Sequence, residues 1–266
     1  MKNFLTVLDS LKTKIKTKDL FLFLDYDGTL TPIVDRPEKA ALSKTAKNLL
    51  KEFAHNSRCK VSIVTGRALN DIKRIVGLDG IAYIGNHGLE VDVPGFTFEG
   101  FDFARTRKIL ELLKSKINTV LPGVTGSFIE DKGISLSIHY RLVKESDVNG
   151  LLVFLNEIIY PFIARRDIRT GTGKKVFEIK SPVDWDKGKA VIWLLNKYKQ
   201  QYNMRKVLSV YIGDDVTDED AFRSLKKRGI SIKVGPHQGS LADYYLNNQG
   251  EVIRLLRDIL ILKKEK

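Results

Sequence analysis

The chain of 266 residues carries 45 Lys and Arg against 32 Asp and Glu, a formal net charge of +13, and 43% of its residues are hydrophobic. This balance is typical of a globular protein with a real core and excludes a disordered chain, and the length allows one large α/β domain or two unequal ones. The positive charge could attract nucleic acid or an anionic membrane. However, its lysines are scattered and lack the interleaved aromatic residues of a nucleic-acid groove, so we expect a solvated Lys-rich surface and no nucleic-acid partner.

Three further features bear on location. Cys59 is the only cysteine, so no internal disulfide can form, and a reducing cytoplasm is the expected compartment. The first 19 residues have apolar residues at helical spacing between lysines, which predicts a surface helix rather than a signal peptide. No apolar run approaches the ~18 residues that cross a bilayer, so no membrane span is expected.

In chain order, short apolar runs at 20–24, 61–64, 81–84 and 207–212 predict buried strands, and helical periodicity lies between them at 44–53, 69–75, 187–198 and 218–227. Ser43 and Asp218 are candidate helix N-caps. This alternation predicts an α/β fold built on a doubly wound parallel sheet. Each run leads into small or polar residues, which should meet at one edge of the sheet, where open α/β sheets bind ligands.

The segment between about 100 and 181 has another pattern. It predicts helices at 104–121 and 146–163 and strands at 126–130, 134–140, 167–171 and 175–179, without strict alternation. That order is typical of a smaller α+β layer. We therefore expect a core formed by residues 1–100 and 181–266 and an inserted cap at 101–180.

The first polar loop is Asp25-Tyr26-Asp27-Gly28-Thr29-Leu30. Two carboxylates separated by one residue after a buried strand can serve as a nucleophile and an acid/base. A tight turn or a calcium loop is the alternative, although no Glu follows at the position that an EF-hand loop requires.

This loop resembles the first motif of the haloacid dehalogenase (HAD) superfamily of phosphotransferases, and Thr65, Lys187 and the segment Gly213-Asp214-Asp215-Val216-Thr217-Asp218 match its later motifs in order. The resemblance implies a HAD-like core in which Asp25 is the nucleophile, Asp27 the acid/base, Thr65 a phosphoryl ligand and Lys187 its neutralising cation. It also implies Mg²⁺ held by Asp25, the backbone carbonyl of Asp27 and Asp214. Asp215 and Asp218 would orient the metal's waters or Lys187; alternatively, they form an acidic cluster stabilised by a helix dipole.

Further segments, among them Tyr83-Ile84-Gly85-Asn86-His87-Gly88 and Val183-Asp184-Trp185-Asp186-Lys187, resemble the trehalose-6-phosphate phosphatases. Hydrolysis of trehalose 6-phosphate to trehalose and phosphate is the activity implied. The family's sugar-binding positions fall on Glu130, Lys132, Arg141 and Glu178. Glu130 and Lys132 could instead be an exposed hairpin pair, and for His139 we favour a strand histidine with satisfied hydrogen bonds.

Four residues at the predicted rim are expected to contact substrate: Gly66, Arg67, Asn86 and His87. Arg67 could equally pair with a core carboxylate, and Asn86 and His87 could contact the cap. Other capped HAD phosphatases, acting on mannosyl-3-phosphoglycerate, sucrose 6-phosphate or a hexose phosphate, are the main alternative, followed by a phosphotransferase or mutase and by a nucleic-acid-binding protein on an inactive phosphatase fold. No synthase-like segment is evident, so a separate trehalose-6-phosphate synthase is the expected pathway partner.

Overall fold

The computed structural model describes residues 1–173, 175–202 and 206–265. The strands in chain order are β1 Lys2–Asn3, β2 Asp19–Leu24, β3 Cys59–Val64, β4 Ala82–Gly85, β5 Glu90–Asp92, β6 Phe128–Asp131, β7 Ser135–His139, β8 Arg169–Gly173, β9 Val176–Lys180, β10 Val207–Gly213, β11 Ile230–Val234 and β12 Tyr244–Leu246. The helices are α1 Phe4–Thr17, α2 Lys44–His55, α3 Leu69–Val76, α4 Ala104–Asn118, α5 Glu145–Ala164, α6 Lys187–Gln201, α7 Asp218–Leu225 and α8 Gln249–Lys264.

The chain divides into two compact units, one formed by Met1–Glu99 and Trp185–Lys266 and the other by Gly100–Asp184. The larger unit is built on a sheet with strand order β1-β12-β11-β10-β2-β3-β4-β5. Its neighbouring strands run parallel except β4 and β5, which are antiparallel. The predicted doubly wound α/β core is confirmed, with an antiparallel strand at one edge.

The central strand β2 shows how the sequence specifies a sheet covered on both faces. Leu20, Leu22 and Leu24 lie in one hydrophobic cluster with residues of α1, α2, α3 and α8. Phe21 and Phe23 lie in a second cluster with residues of α6 and α7. Because side chains alternate between the faces of a strand, a continuous apolar run fills both layers at once.

The smaller unit has a four-stranded antiparallel sheet with order β6-β7-β9-β8. Leu136 and Ile138 of β7 lie in one hydrophobic cluster with residues of α4 and α5. By the same alternation, the other face carries Ser135, Ser137 and His139. The unit therefore has one apolar face covered by helices and one polar face.

Helix α5 qualifies by length and composition as a possible membrane span, which the sequence analysis did not expect. Val148, Leu151 and Leu155 of this helix are buried, the last two in the hydrophobic cluster of the smaller unit. A core helix of a globular domain shows the same arrangement, with one stripe packed against a sheet.

Several predicted boundaries differ from the structure by a few residues, and two of these differences have a local cause. Helix α7 ends at Leu225 rather than 227, because Lys227 adopts a left-handed conformation (φ 65°). Strand β8 begins at Arg169 rather than 167, since Asp167 lies in the preceding turn, where it accepts a hydrogen bond from Arg165 Nε at 3.1 Å.

Candidate active site

Four neighbouring parallel strands, β10, β2, β3 and β4, end at the same edge of the larger sheet. In register, Ile212 pairs with Leu24, Leu24 with Ile63, and Val64 with Ile84. The loops that follow these strands begin with Asp214, Asp25, Thr65 and Asn86. The predicted shared rim therefore exists in the structure.

Lys187, the first residue of α6, joins this edge through two buried ion pairs. Its Nζ lies 2.7 Å from Asp25 Oδ1 and 2.8 Å from Asp218 Oδ1. Burial alone would lower the pKa of Lys187, but the two carboxylates outweigh it and raise the pKa, so the side chain stays an ammonium ion. Burial raises the pKa of Asp25, and Lys187 opposes that rise. Lys187 thus stabilises the ionised form of the predicted nucleophile.

Asp218 is held from three directions. Besides Lys187, Tyr211 Oη donates to its Oδ1 at 2.7 Å and the amide of Asp215 donates to Oδ2 at 2.8 Å. Burial raises the pKa of Tyr211 well above its usual range, and the Asp218 carboxylate adds to the rise, so the phenol remains a donor. The prediction that Asp218 is a helix N-cap is wrong: α7 begins at Asp218, after Thr217, and its carboxylate binds Lys187 and Tyr211 instead.

Sequence reasoning missed Tyr211. A tyrosine in a buried strand is usually explained by packing, and Tyr211 also packs edge-to-face on Phe222 with ring centroids 5.7 Å apart. The available signal was the phenol itself, because a buried hydroxyl needs a partner and Tyr211 lies two residues before the acidic loop.

Asp27 is paired with Arg67. Arg67 Nε and Nη2 donate to the two oxygens of Asp27, each at 2.7 Å, and Nη1 donates to Asp71 Oδ2 at 3.1 Å. Burial would lower the pKa of Arg67, but Asp27 and Asp71 raise it, so the guanidinium stays charged. Of the two partners expected for Arg67, the structure has the carboxylate, and that carboxylate is the predicted acid/base. Binding of substrate by Arg67 remains a prediction.

The acidic residues of this edge fit a divalent cation. Asp25, Asp214 and Asp218 each offer a carboxylate oxygen, and these oxygens lie within 4.8 Å of one another. When ionised, these carboxylates and Lys187 together leave two negative charges, which a hard cation such as Mg²⁺ would offset. Both oxygens of Asp218 already accept hydrogen bonds, Oδ1 from Lys187 and Tyr211 and Oδ2 from the Asp215 amide, whereas Asp25 pairs with Lys187 through Oδ1. Asp25 and Asp214 are therefore the better candidates for direct ligands. The carbonyl of Asp27 as a further ligand stays a prediction.

Gly28 lets the first loop approach this cluster. It has φ 90°, and a Cβ at this position would lie 2.2 Å from Asp214 Oδ2. Thr29 Oγ1, the next residue, donates to Asp214 Oδ1 at 3.3 Å. A glycine is thus required where the two acidic loops meet.

The rim on the other side of Asp25 is formed by Thr65 and by the loop after β4. The amide of Arg67 donates to Thr65 Oγ1 at 3.2 Å, and the amide of His87 donates to the Thr65 carbonyl at 3.0 Å. His87 packs on Gly66, where a Cβ would lie 2.5 Å from His87 Cε1. Asn86 Nδ2 donates to Glu90 Oε2 at 2.6 Å.

Asn86 and His87 both have positive φ, 47° and 56°. Two such non-glycine residues in sequence are uncommon, and backbone strain of this kind concentrates at functional sites. Contact of Gly66, Asn86 and His87 with substrate remains a prediction.

The predicted sugar-binding residues lie in the smaller unit. Glu130 of β6, Ser137 of β7 and Glu178 of β9 are register partners and form one row across the polar face of the sheet. Lys132 Nζ lies 3.9 Å from Glu130 Oε2, and Lys180 Nζ lies 2.5 Å from Glu178 Oε2. Arg141 lies in the turn that follows β7. The structure thus brings the core residues together at one sheet edge and Glu130, Lys132 and Glu178 together on one sheet face.

Comparisons with known proteins agree with this arrangement. Residues 23–249 match the family model described as trehalose-phosphatase. Trehalose-phosphate phosphatase B of Arabidopsis thaliana is 32% identical over 276 residues, covering 98% of this chain and 71% of that protein.

Solved structures share the fold. The C-terminal domain of C. albicans trehalose-6-phosphate phosphatase aligns with a TM-score of 0.81 and 23% identity, covering 96% of this chain and 97% of that one. A haloacid dehalogenase-like hydrolase from B. subtilis aligns with a TM-score of 0.55 and 18% identity over 89% and 98% of the two chains. Because the family model matches most of this chain, the chain belongs to the trehalose-phosphatase family.

Proposed function

We propose that this protein is a Mg²⁺-dependent phosphatase that hydrolyses trehalose 6-phosphate to trehalose and phosphate through an aspartyl-phosphate on Asp25. The observation that carries the proposal is the buried Asp25 carboxylate paired with Lys187 at 2.7 Å beside Asp214, in a chain of the trehalose-phosphatase family. Attack by an anion on a phosphate dianion requires nearby positive charge, and Lys187 supplies part of it.

In the first step an oxygen of Asp25 attacks phosphorus, and the bond between phosphorus and the sugar oxygen breaks. The leaving oxygen takes a proton from the carboxyl of Asp27. Lys187 fixes the orientation of Asp25 through Oδ1, and Thr65, at the end of β3, is suited to hold a phosphoryl oxygen. Mg²⁺, held by Asp25 and Asp214, would offset the charge on the phosphoryl oxygens when bound.

In the second step water attacks the phosphorus of the aspartyl-phosphate, its proton passes to Asp27, and the bond to Asp25 breaks to release phosphate. Arg67 is paired with the carboxylate form of Asp27, which is the form that accepts a proton. The pair therefore orients both oxygens of Asp27 in the form that the second step uses.

Recognition of the sugar is assigned to the polar face of the smaller sheet, which acts as the cap. Carboxylates and ammonium groups are good partners for sugar hydroxyls, and Glu130, Lys132 and Glu178 offer both kinds. We place the reaction in the cytoplasm, with trehalose 6-phosphate supplied by a trehalose-6-phosphate synthase.

The test is phosphate release from trehalose 6-phosphate, glucose 6-phosphate, sucrose 6-phosphate and mannosyl-3-phosphoglycerate, with Mg²⁺ and with EDTA. We expect preferential turnover of trehalose 6-phosphate, lost in EDTA and restored by Mg²⁺. Faster turnover of another sugar phosphate would be consistent with the proposed chemistry at Asp25 but would reject trehalose 6-phosphate as the preferred substrate. Full activity in EDTA would reject the proposed dependence on Mg²⁺. Salt-dependent RNA binding without phosphate release would reject the proposed phosphatase activity.

A further inference from the structure

His139, the last residue of β7, has a defined position on the polar face of the smaller sheet. It is the register partner of Phe128 on β6, and the two rings stack with centroids 4.5 Å apart and planes 8° apart. Its Nε2 lies 2.8 Å from Glu130 Oε2. Since a carboxylate only accepts hydrogen bonds, this ring nitrogen carries the hydrogen.

These two contacts restrain both the imidazole of His139 and the carboxylate of Glu130. The stack on Phe128 fixes the plane of the imidazole, and the imidazole fixes one oxygen of Glu130. Lys132 Nζ approaches the same oxygen at 3.9 Å. A glutamate held in this way loses less conformational entropy on binding a ligand than one that must be ordered by the ligand itself.

The position of Glu130 gives this restraint a purpose. Glu130 lies in one row with Ser137 and Glu178, on the face of the sheet opposite the hydrophobic cluster. The carboxylates of Glu130 and Glu178 in this row offer several hydrogen-bond acceptors to a polyhydroxylated ligand. Discrimination between such ligands depends on the direction of each acceptor, because a misplaced group leaves a hydroxyl unpaired.

We infer that His139 is a positioning residue that orients Glu130 toward the hydroxyl groups of the non-reacting sugar. The inference deepens the proposed function and rests on it. His139 is therefore a determinant of specificity and not only a strand histidine with satisfied hydrogen bonds, as the sequence favoured.

The experiment compares His139→Leu with His139→Gln, because the Gln amide nitrogen reaches about as far as Nε2 and can donate to Glu130. For each variant, kcat and KM are measured with trehalose 6-phosphate and with p-nitrophenyl phosphate, which has no sugar. We expect the ratio of the two kcat/KM values to fall about tenfold in H139L, through KM, as befits the loss of a hydrogen bond to a charged group. H139Q should recover most of that loss.

His55→Leu is the matched control, since His55 is exposed on α2 of the larger unit. The midpoint of thermal unfolding reports whether H139L is folded. If H139L is not folded, the test uses H139Q and F128L instead. F128L removes the ring that stacks on His139, and we expect it to raise KM for trehalose 6-phosphate less than the loss of the imidazole does. An unchanged ratio in H139L, or an equal fall in H139L and H139Q, would overturn the inference. A wild-type enzyme that hydrolyses p-nitrophenyl phosphate but not trehalose 6-phosphate would reject the proposed function, and with it the sugar assignment of Glu130.

Discussion

The carboxyl edge of the larger sheet and the polar face of the smaller sheet both present carboxylates, but they hold them differently. At the edge, Asp25 and Asp218 are buried, with 4% and 0% of their surface exposed, and both pair with the buried ammonium group of Lys187. On the face, the Glu130 side chain is 23% exposed and its partners include His139 and, at longer distance, Lys132.

Burial destabilises the charged form of each group at the edge, so each one needs its oppositely charged partners to stay ionised. At Glu130 and His139 on the face, water can replace a lost partner, so a change there should alter recognition more than folding. The edge is therefore expected to determine whether phosphate esters are cleaved, and the face which ester is preferred. Substitutions in the two regions test that division.

Asp25→Asn should have the largest effect. An amide is a poor nucleophile, so turnover of every phosphate ester should fall roughly 10⁴-fold or more. Because burial raises the pKa of Asp25, loss of its charge relieves a cost, and Lys187 keeps Asp218 as a partner. The midpoint of urea unfolding should therefore shift little, and a folded D25N enzyme with substantial turnover would remove Asp25 from the nucleophile role.

Lys187→Met should affect both activity and folding. It leaves Asp25 and Asp218 without their shared cation, and breaking such a buried pair costs about 3–5 kcal/mol in the free energy of unfolding. Lys189→Met is the matched control: Lys189 lies in the same helix, is 39% exposed, and approaches Asp186 at 3.9 Å, so its loss should cost less than ~1 kcal/mol.

The loss in the free energy of unfolding caused by K187M should depend on pH. With the cation gone, burial and the neighbouring carboxylates raise the pKa of Asp25 further above its unfolded value. A raised pKa means that the folded state is favoured when the group is protonated and loses that stability as the pH rises. The difference from wild type should therefore shrink in mildly acid buffer. A deficit that is independent of pH would indicate lost packing rather than unpaired charge.

Tyr211→Phe separates the charged network from ordinary packing. The ring contact with Phe222 is kept while the hydrogen bond to Asp218 is lost, which should cost about 2 kcal/mol because the acceptor is charged. Tyr26→Phe is the comparison: its buried hydroxyl donates to the Ala40 carbonyl at 2.9 Å, a neutral acceptor, and about 1 kcal/mol is expected. Equal losses by urea unfolding would mean that Tyr211 contributes nothing particular to the acidic cluster.

These residues also mark what the sequence could predict. The strand of Leu20 to Leu24 and the loop from Asp25 could be predicted because an apolar run and a polar turn are local patterns. The pairing of Arg67 with Asp27 could not, since it joins residues 40 positions apart and Arg67 had two chemically reasonable partners. The sequence position of Asp218 predicts a helix cap, whereas its partners Lys187 and Tyr211 come from two other elements. Side-chain pairs between elements are set by tertiary packing, which local pattern does not encode.

Glu178→Gln should have the smallest effect and tests the other half of the comparison. The substitution keeps size and one acceptor but removes the charge that holds Lys180 at 2.5 Å, so the face loses one oriented group while the edge is untouched. We expect kcat/KM for trehalose 6-phosphate relative to p-nitrophenyl phosphate to fall by about tenfold. The free energy of unfolding should fall by about 1 kcal/mol, because Glu178 is buried but the Gln carbonyl can still accept a hydrogen bond from Lys180. Glu157→Gln, at an exposed position of α5, is the matched control for the loss of a carboxylate. If E178Q instead lowers turnover of both esters equally, or unfolds the protein as K187M should, the face is not confined to recognition and the division between the two regions fails.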